Sequence, residues 1–112
     1  MNNTITNMKI GDNIFKGRFE NNQFIEGKII LKDGMIEEGK FKNNCIINGK
    51  RIHLCGIIEE GEFKNNNVIK GKISYLDGLT EEGEFNKDKI LIKGKISYLD
   101  GFILEGGLRS RR

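Results

Sequence analysis

Residues 70–85 read KGKISYLDGLTEEGEF, and this stretch decides the fold. Two runs suited to β-strands, Ile73–Leu76 and Leu79–Phe85, are separated by Asp77-Gly78. An Asp-Gly pair between two such runs is a strong hairpin signal, because the favoured two-residue turn, type I′, needs positive φ at both central positions. The stretch therefore predicts two antiparallel strands joined by a type I′ turn.

The same pattern recurs along the chain with a period of about 22 residues. Segments 70–78 and 93–101 are identical, and the fourth unit carries one extra residue near 89–91. A Gly-x-Phe signature stands at Gly17 and Phe19, Gly39 and Phe41, Gly61 and Phe63, and Gly83 and Phe85. A Gly-Lys pair follows each signature, at Gly27, Gly49, Gly71 and Gly94. So many registered positions at a fixed period are the signature of a repeat architecture.

Each unit also has a second short connection, which is rich in Asn, as at 64–67. Asn tolerates left-handed backbone conformations, and short connections join antiparallel neighbours. The prediction is an all-β protein, a single elongated, twisted antiparallel sheet of stacked β-hairpins that grows by two strands per unit. Because a single sheet has no second layer to bury its apolar face, we expect it to curl on itself or to meet a partner.

The repeat predicts one domain over residues 1–112. Its parts are an N-terminal edge strand at 1–16, repeats at about 17–38, 39–60, 61–82 and 83–105, and a partial C-terminal cap with a basic tail at 106–112. Side-chain alternation puts the signature phenylalanines in one ladder and the signature glycines in another beside it. Since Gly weakens a strand, we expect each glycine to leave room for a neighbouring aromatic ring.

These registered residues resemble the MORN (membrane occupation and recognition nexus) repeat, from Phe15 to about Leu108. The matching positions are the Gly-x-Phe signatures, the Gly before each Lys, the aromatic residues Tyr75 and Tyr98, and the Asp-Gly turns at 33–34, 77–78 and 100–101. The sequence departs from the family pattern where Glu37, Glu59 and Glu81 occupy its first aromatic position, where Leu31 and His53 occupy its second, and where Cys55 replaces the turn Asp.

The resemblance implies a rod-like single-layer sheet that mediates protein–protein contact or self-association, and it links some members to phospholipids. Fold alone does not fix function, so no chemistry follows from it. The glutamates interrupt the aromatic groove that a typical MORN array would present.

Composition and charge narrow the function classes. The 112 residues include no Pro or Trp and carry a net charge of only +3. Basic and acidic residues alternate along the chain, which is typical of a solvated surface and does not predict nucleic-acid binding. The polar start, the lack of a long apolar run and the two Cys predict a cytoplasmic protein with reduced thiols.

No catalytic, metal or cofactor site is predicted. The single histidine, His53, stands where later units have Tyr, so we interpret it as a tolerated groove residue. Cys45, His53 and Cys55 match no common zinc spacing. Adjacent glutamates, such as Glu59 and Glu60, point to opposite sheet faces, so a paired-carboxylate enzyme is not expected. The lysines of the Gly-Lys pairs should instead form cross-strand charge pairs with them.

The leading hypothesis is a non-enzymatic module for protein–protein interaction or assembly that presents a periodic β-sheet face. The candidate face holds His53, Glu59, Tyr75, Glu81 and Tyr98, since Tyr is enriched at protein interfaces. The competing interpretation is that these rings only cover the sheet.

Three other possibilities stay open. The cluster Arg109-Ser110-Arg111-Arg112 suits binding to phospholipid or a membrane surface. The chain could be a small inhibitor or decoy, viral, phage or bacterial, that blocks a partner protein. The open sheet edge near Leu104–Leu108 would also allow a homo-oligomer.

Overall fold

The computed structural model describes residues 4–107, and the side chains of 7–106, as an all-β chain. The ten strands are β1 (Thr4–Ile10), β2 (Asn13–Glu20), β3 (Gln23–Ile30), β4 (Ile36–Lys42), β5 (Cys45–Ile52), β6 (Ile58–Lys64), β7 (Asn67–Ser74), β8 (Thr80–Phe85), β9 (Leu91–Ser97) and β10 (Ile103–Gly107). The segment predicted as one edge strand, 1–16, holds β1, a tight turn and the start of β2, because Gly11-Asp12 reverses the chain.

The strands form one sheet in sequence order, and every neighbouring pair is antiparallel. The molecule measures 49 × 23 × 22 Å, and its long dimension matches ten strands at about 4.8 Å each. The predicted fold class, a single elongated sheet of stacked hairpins, is confirmed.

The two kinds of connection differ from the prediction in turn type. The type I′ pattern, with positive φ at both central residues, occurs at the Asn turns, for example Asn65 (53°) and Asn66 (67°). At the Asp-Gly connections only the glycine has positive φ, as at Gly78 (90°), and Asp77 Oδ1 accepts a hydrogen bond from the Leu79 N–H at 3.0 Å. The prediction of a type I′ turn at Asp77-Gly78 was therefore wrong, although the hairpin exists.

A row of glycines crosses the sheet from β2 to β10, and the hairpins β2–β3, β4–β5, β6–β7 and β8–β9 each contain one close pair. Gly61 faces Gly71 across β6 and β7, and it has a φ of 138°. A Cβ at Gly61 would collide with the backbone carbonyl oxygen of Lys70 and would lie 2.8 Å from the Gly71 Cα. The glycines therefore permit close backbone approach. At the signature glycines this replaces the expected room for an aromatic ring, which is seen instead at Gly27, where a Cβ would lie 3.0 Å from Phe24 Cζ.

One face of the sheet, called the inner face below, is apolar and buried. Its core residues are Phe24, Ile29, Phe41, Ile46, Phe63, Val68, Ile73, Phe85, Leu91 and Ile96. The sheet coils, so a turn of one unit lies over the inner face of the unit before it. The Asn66 carbonyl, for example, accepts a hydrogen bond from Arg51 Nη1 at 2.6 Å. The sheet thus covers its own apolar face by curling.

The adjacent glutamates separate onto the two faces, as expected from the strand period. Glu37 and Glu59 are buried on the inner face, whereas Glu38 and Glu60 are exposed on the outer face. The outer glutamates stand opposite the lysines of the Gly-Lys pairs, as with Glu60, which faces Lys50 on one side and Lys72 on the other.

Candidate functional site

The candidate site is built on a row of inner-face positions that runs across the sheet, one residue per strand. The register places these residues opposite one another in the order Phe15, Ile29, Glu37, Arg51, Glu59, Ile73, Glu81, Ile96 and Leu104. Aliphatic residues fill this position in β3, β7 and β9, so Arg51 in β5 is the exception. It stands between two of the inner-face glutamates.

Arg51 joins both neighbouring glutamates in the interior. Its Nε donates to Glu37 Oε2 at 2.9 Å, and its Nη1 contacts Glu59 Oε1 at 3.4 Å. The guanidinium also lies 5.1 Å from the centre of the Phe63 ring, a cation–π distance. The Arg51, Glu37 and Glu59 side chains are only 6%, 10% and 3% exposed. Each ion is therefore stabilised by its partners, since water does not reach it.

Glu59 has two further partners from neighbouring segments. His53 Nε2 lies 3.1 Å from Glu59 Oε1, and Lys89 Nζ lies 3.1 Å from Glu59 Oε2. We call Glu37, Arg51, His53, Glu59 and Lys89 the charged cluster. Among the described side chains, no buried nitrogen or oxygen is without a hydrogen-bond partner.

Lys89 reaches the charged cluster because of the extra residue in the fourth unit. The loop Asn86–Ile90 replaces the two-residue Asn turn of the earlier units, and the Asn86 and Ile90 backbones are hydrogen-bonded at 3.0 Å. Lys89 takes a left-handed conformation with a φ of 63°. The lengthened loop thus supplies a second cation to Glu59.

The two titratable groups with altered acidity both belong to this region. Burial raises the pKa of Glu59, but hydrogen bonds from His53 and Lys89 and their charges outweigh it and lower the pKa below its usual value. Burial raises the pKa of Tyr75 well above its usual value. The Tyr75 hydroxyl donates to Glu81 Oε1 at 2.9 Å, and this carboxylate raises the pKa further. Near neutral pH, Glu59 is therefore an anion and Tyr75 a neutral donor.

The structure brings four of the five predicted site residues together. His53, Glu59 and Tyr75 line a small recess of about 190 Å³, and Glu81 is held at its border by Tyr75. Tyr98 lies one unit further along, against the Phe102 ring at 5.7 Å between ring centres. Because Glu59 is buried with both oxygens engaged, it can affect a partner only through the groups that it holds.

A row of exposed leucines lies along the neighbouring edge of the sheet. Leu54, Leu76 and Leu99 occupy the same position in successive turns and are 78%, 72% and 81% exposed. We call these three residues the leucine edge. Each leucine lies against the turn glycine of the preceding unit, as Leu99 does against Gly78.

Sequence reasoning missed Arg51, Lys89 and the leucine edge. Arg51 was detectable as a charged residue at a repeat position that is Ile in three other units. The leucines were detectable as a recurrent apolar residue before the turn Asp, or before Cys55 in one unit. The reach of Lys89 to Glu59 had no sequence signal, because it depends on how the sheet coils.

The signature residues of the repeat have structural positions. Phe41, Phe63 and Phe85 are in the core, Phe19 is partly buried against it, and Gly17, Gly39, Gly61 and Gly83 belong to the close glycine pairs. Over the described residues, no group of three or more His, Cys, Asp or Glu side chains is arranged to hold a metal ion. No helix within residues 4–107 is long and apolar enough to cross a membrane.

The basic cluster at 109–112 and most of the predicted C-terminal cap lie outside the described residues. No protein-family model matches the sequence, and a search of curated proteins found no relative. The resemblance to MORN repeats therefore stays a prediction.

Proposed function

We propose that this chain is a non-enzymatic protein-binding module of MORN-like type, and that its partner sits on the leucine edge and the tyrosines beside it. The observation that carries the proposal is the periodic exposure of Leu54, Leu76 and Leu99. These leucines follow one another at two strand spacings, about 10 Å, so an elongated partner can meet all three in register.

The leucine edge also has a charge bias that narrows the partner class. Asp33, Asp77 and Asp100 lie in its turns beside the single lysine Lys32, whereas Lys42 and Lys64 end the strands that lead into the turns of the opposite edge. Between two units, the side chains of Leu79, Tyr98 and Leu99 line a shallow recess of about 350 Å³ with Asp77 and Asp100 at its rim. A segment with apolar side chains flanked by Lys or Arg is complementary to this surface.

The charged cluster supports this surface from behind. The contact of His53 with Glu59, together with the hydrogen bond from Tyr75 to Glu81, holds the strand ends that carry the turns of Leu54 and Leu76. Fully satisfied polar groups of this kind rigidify a structure, which lowers the entropic cost of binding.

Affinity capture from a lysate tests the proposal. The baits are the wild type, a Leu76→Asp/Leu99→Asp variant and a control with Lys42→Asp/Lys64→Asp on the opposite edge, each checked for the wild-type far-UV spectrum. We expect one protein at near-stoichiometric yield with the wild type and the control, and its loss with the leucine variant. If all three baits capture the same proteins, the leucine edge is not the binding surface.

The membrane alternative is decided separately with liposomes of anionic phospholipid at low salt. Cosedimentation of the wild type that persists in the Leu76→Asp/Leu99→Asp variant would replace the protein-binding proposal with lipid binding. We expect the protein to stay in the supernatant.

A further inference from the structure

β10 is the last strand of the sheet within residues 4–107. It pairs with β9 on one side only, and no other strand within residues 4–107 covers the opposite side. Ile103 and Leu104 are exposed. An uncovered edge strand presents a row of unpaired backbone groups that can accept another strand.

Gly106 in β10 has the conformation of a paired glycine but lacks a partner. Within each hairpin joined by an Asn turn or by the 86–90 loop, the glycine of the first strand meets the glycine of the second at close approach, as Gly61 meets Gly71. Gly106 continues this row, since it faces Gly94, and its φ of 123° falls in the same left-handed region as the 138° of Gly61. No atom of the described residues lies within 4 Å of a Cβ added to Gly106. The edge therefore keeps one half of a close glycine pair.

A row of charged residues on the outer face also lacks its next member at β10. From β3 to β10, one outer row alternates in sign, through Lys28, Glu38, Lys50, Glu60, Lys72, Glu82, Lys95 and Glu105. Every glutamate of this row before Glu105 stands between two lysines. Glu105 faces Lys95 on one side and no described strand on the other, so the next strand in the pattern would carry a lysine there.

We propose that β10 accepts an antiparallel strand from another polypeptide, and that it recognises the sequence Gly-Lys-aliphatic. The glycine lies against Gly106, the lysine against Glu105 and the aliphatic residue against Leu104. Backbone hydrogen bonds supply affinity in such strand addition, and the side-chain register supplies specificity. The surface is separate from the leucine edge and goes beyond the function proposed for it.

A second copy of the chain fits this edge poorly. Thr6 of the N-terminal strand lies in the glycine row, since it faces Gly17. If β1 of a second copy paired with β10, Thr6, Asn7 and Met8 would therefore stand opposite Gly106, Glu105 and Leu104. A residue with a Cβ cannot reach the close approach of a glycine pair. Two β10 strands paired through Gly106 would place Glu105 opposite Gly107, which leaves the glutamate without a lysine. The occupant is therefore a strand of different sequence.

A fluorescein-labelled peptide with the sequence NVIKGKIS tests the proposal against the whole 112-residue chain. This is the sequence of β7, in which Gly71, Lys72 and Ile73 face Gly61, Glu60 and Glu59 in the same manner. We expect saturable binding by fluorescence anisotropy at concentrations below about 1 mM. A Gly71→Ala peptide, or a Gly106→Val protein, should bind at least tenfold more weakly, since either change adds a Cβ at the glycine pair.

A charge exchange separates recognition from non-specific adhesion. Glu105→Lys should weaken binding of the original peptide about threefold, as for an exposed charge pair, and a Lys72→Glu peptide should restore it. The Leu76→Asp/Leu99→Asp protein should bind the peptide like the wild type, because the leucine edge is a different surface. A negative result for the leucine edge is thereby distinguished from a negative result for β10. Each protein variant is first checked for the wild-type far-UV spectrum.

Three results would overturn the proposal. They are no saturable binding, binding that Gly106→Val leaves unchanged, and a charge exchange without rescue. A mass measurement in solution adds a fourth, because a dimer that Gly106→Val dissociates would assign the edge to a second copy. We expect a monomer.

Discussion

Replacement of Arg51 should unfold this protein far more readily than replacement of a comparable surface arginine. Arg51→Met removes the only cation that pairs with Glu37 among the described residues, and one of three side chains that contact Glu59. Removing one member of a buried ion pair costs about 3–5 kcal/mol, because the remaining charge is buried without compensation. The Glu37 side chain is 10% exposed, so it cannot recover that loss by hydration.

Arg18 is the matched control. It forms an ion pair with Glu26 at 3.0 Å, close to the 2.9 Å between Arg51 and Glu37, but these two side chains are 34% and 48% exposed. Exposed pairs contribute at most about 1 kcal/mol. With a urea dependence of about 2 kcal/mol per M, Arg51→Met should lower the unfolding midpoint by roughly 2 M and Arg18→Met by at most about 0.5 M.

Far-UV circular dichroism during urea titration measures both midpoints. If Arg51→Met proves too unstable to purify, the Arg51→Ile/Glu37→Leu double variant still tests the reasoning. It restores the Ile that other units have at this position and removes the stranded carboxylate, so its stability should return to within about 1 kcal/mol of the wild type. Equal costs for Arg51→Met and Arg18→Met, or a double variant no better than Arg51→Met, would refute the account of the charged cluster.

The remaining predictions concern pH and the glycine row. The pKa of Glu59 is lower in the folded protein than in the unfolded chain, so ionised Glu59 stabilises the fold at and above its ordinary pKa, and this stabilisation is lost as pH falls through the folded pKa. Glu59→Gln should therefore make the urea midpoint depend less steeply on pH on the acid side. An unchanged dependence would contradict this. The raised pKa of Tyr75 acts in the opposite sense, so stability should fall as pH rises above about 10, and Tyr75→Phe should flatten that decline in the same titration. Gly61→Ala should cost several kcal/mol, as it strains the backbone and also forces a Cβ into the backbone of β7. Gly106→Ala has open space around it among the described residues, so it should cost only the strain of an alanine at a φ of 123°, about 1–3 kcal/mol. Equal losses at the two glycines would show that strand conformation, and not close approach, selects them.

Much of the fold could be predicted because its determinants are local and repeated. The alternation around Gly61 and Phe63 assigns the inner face, and the short connections leave only antiparallel neighbours. The opposite placement of Glu59 and Glu60 follows from the same period. Turn type was harder to predict, since Asp-Gly suits more than one hairpin geometry and the number of residues in the turn decides between them.

The candidate site was only partly predictable. His53 and Tyr75 were identified because they fill one repeat position, and Glu81 because it fills the position of Glu59. Arg51 was overlooked, although its position in the repeat is visible, because a charged residue at an apolar position has meaning only when its partners are known. Those partners are Glu37 and Glu59, on the strands at either side, and strand register makes them neighbours.

The sequence by itself determined the hairpin unit, its period and which side chains share a face, since these depend on backbone preferences and strand geometry within about 22 residues. Only the tertiary structure decided how the units coil on one another. Coiling results from the twist summed over ten strands and from the close backbone approach at each glycine pair. It brings Lys89 onto Glu59 and the Asn66 carbonyl onto Arg51, contacts between residues that no local pattern relates.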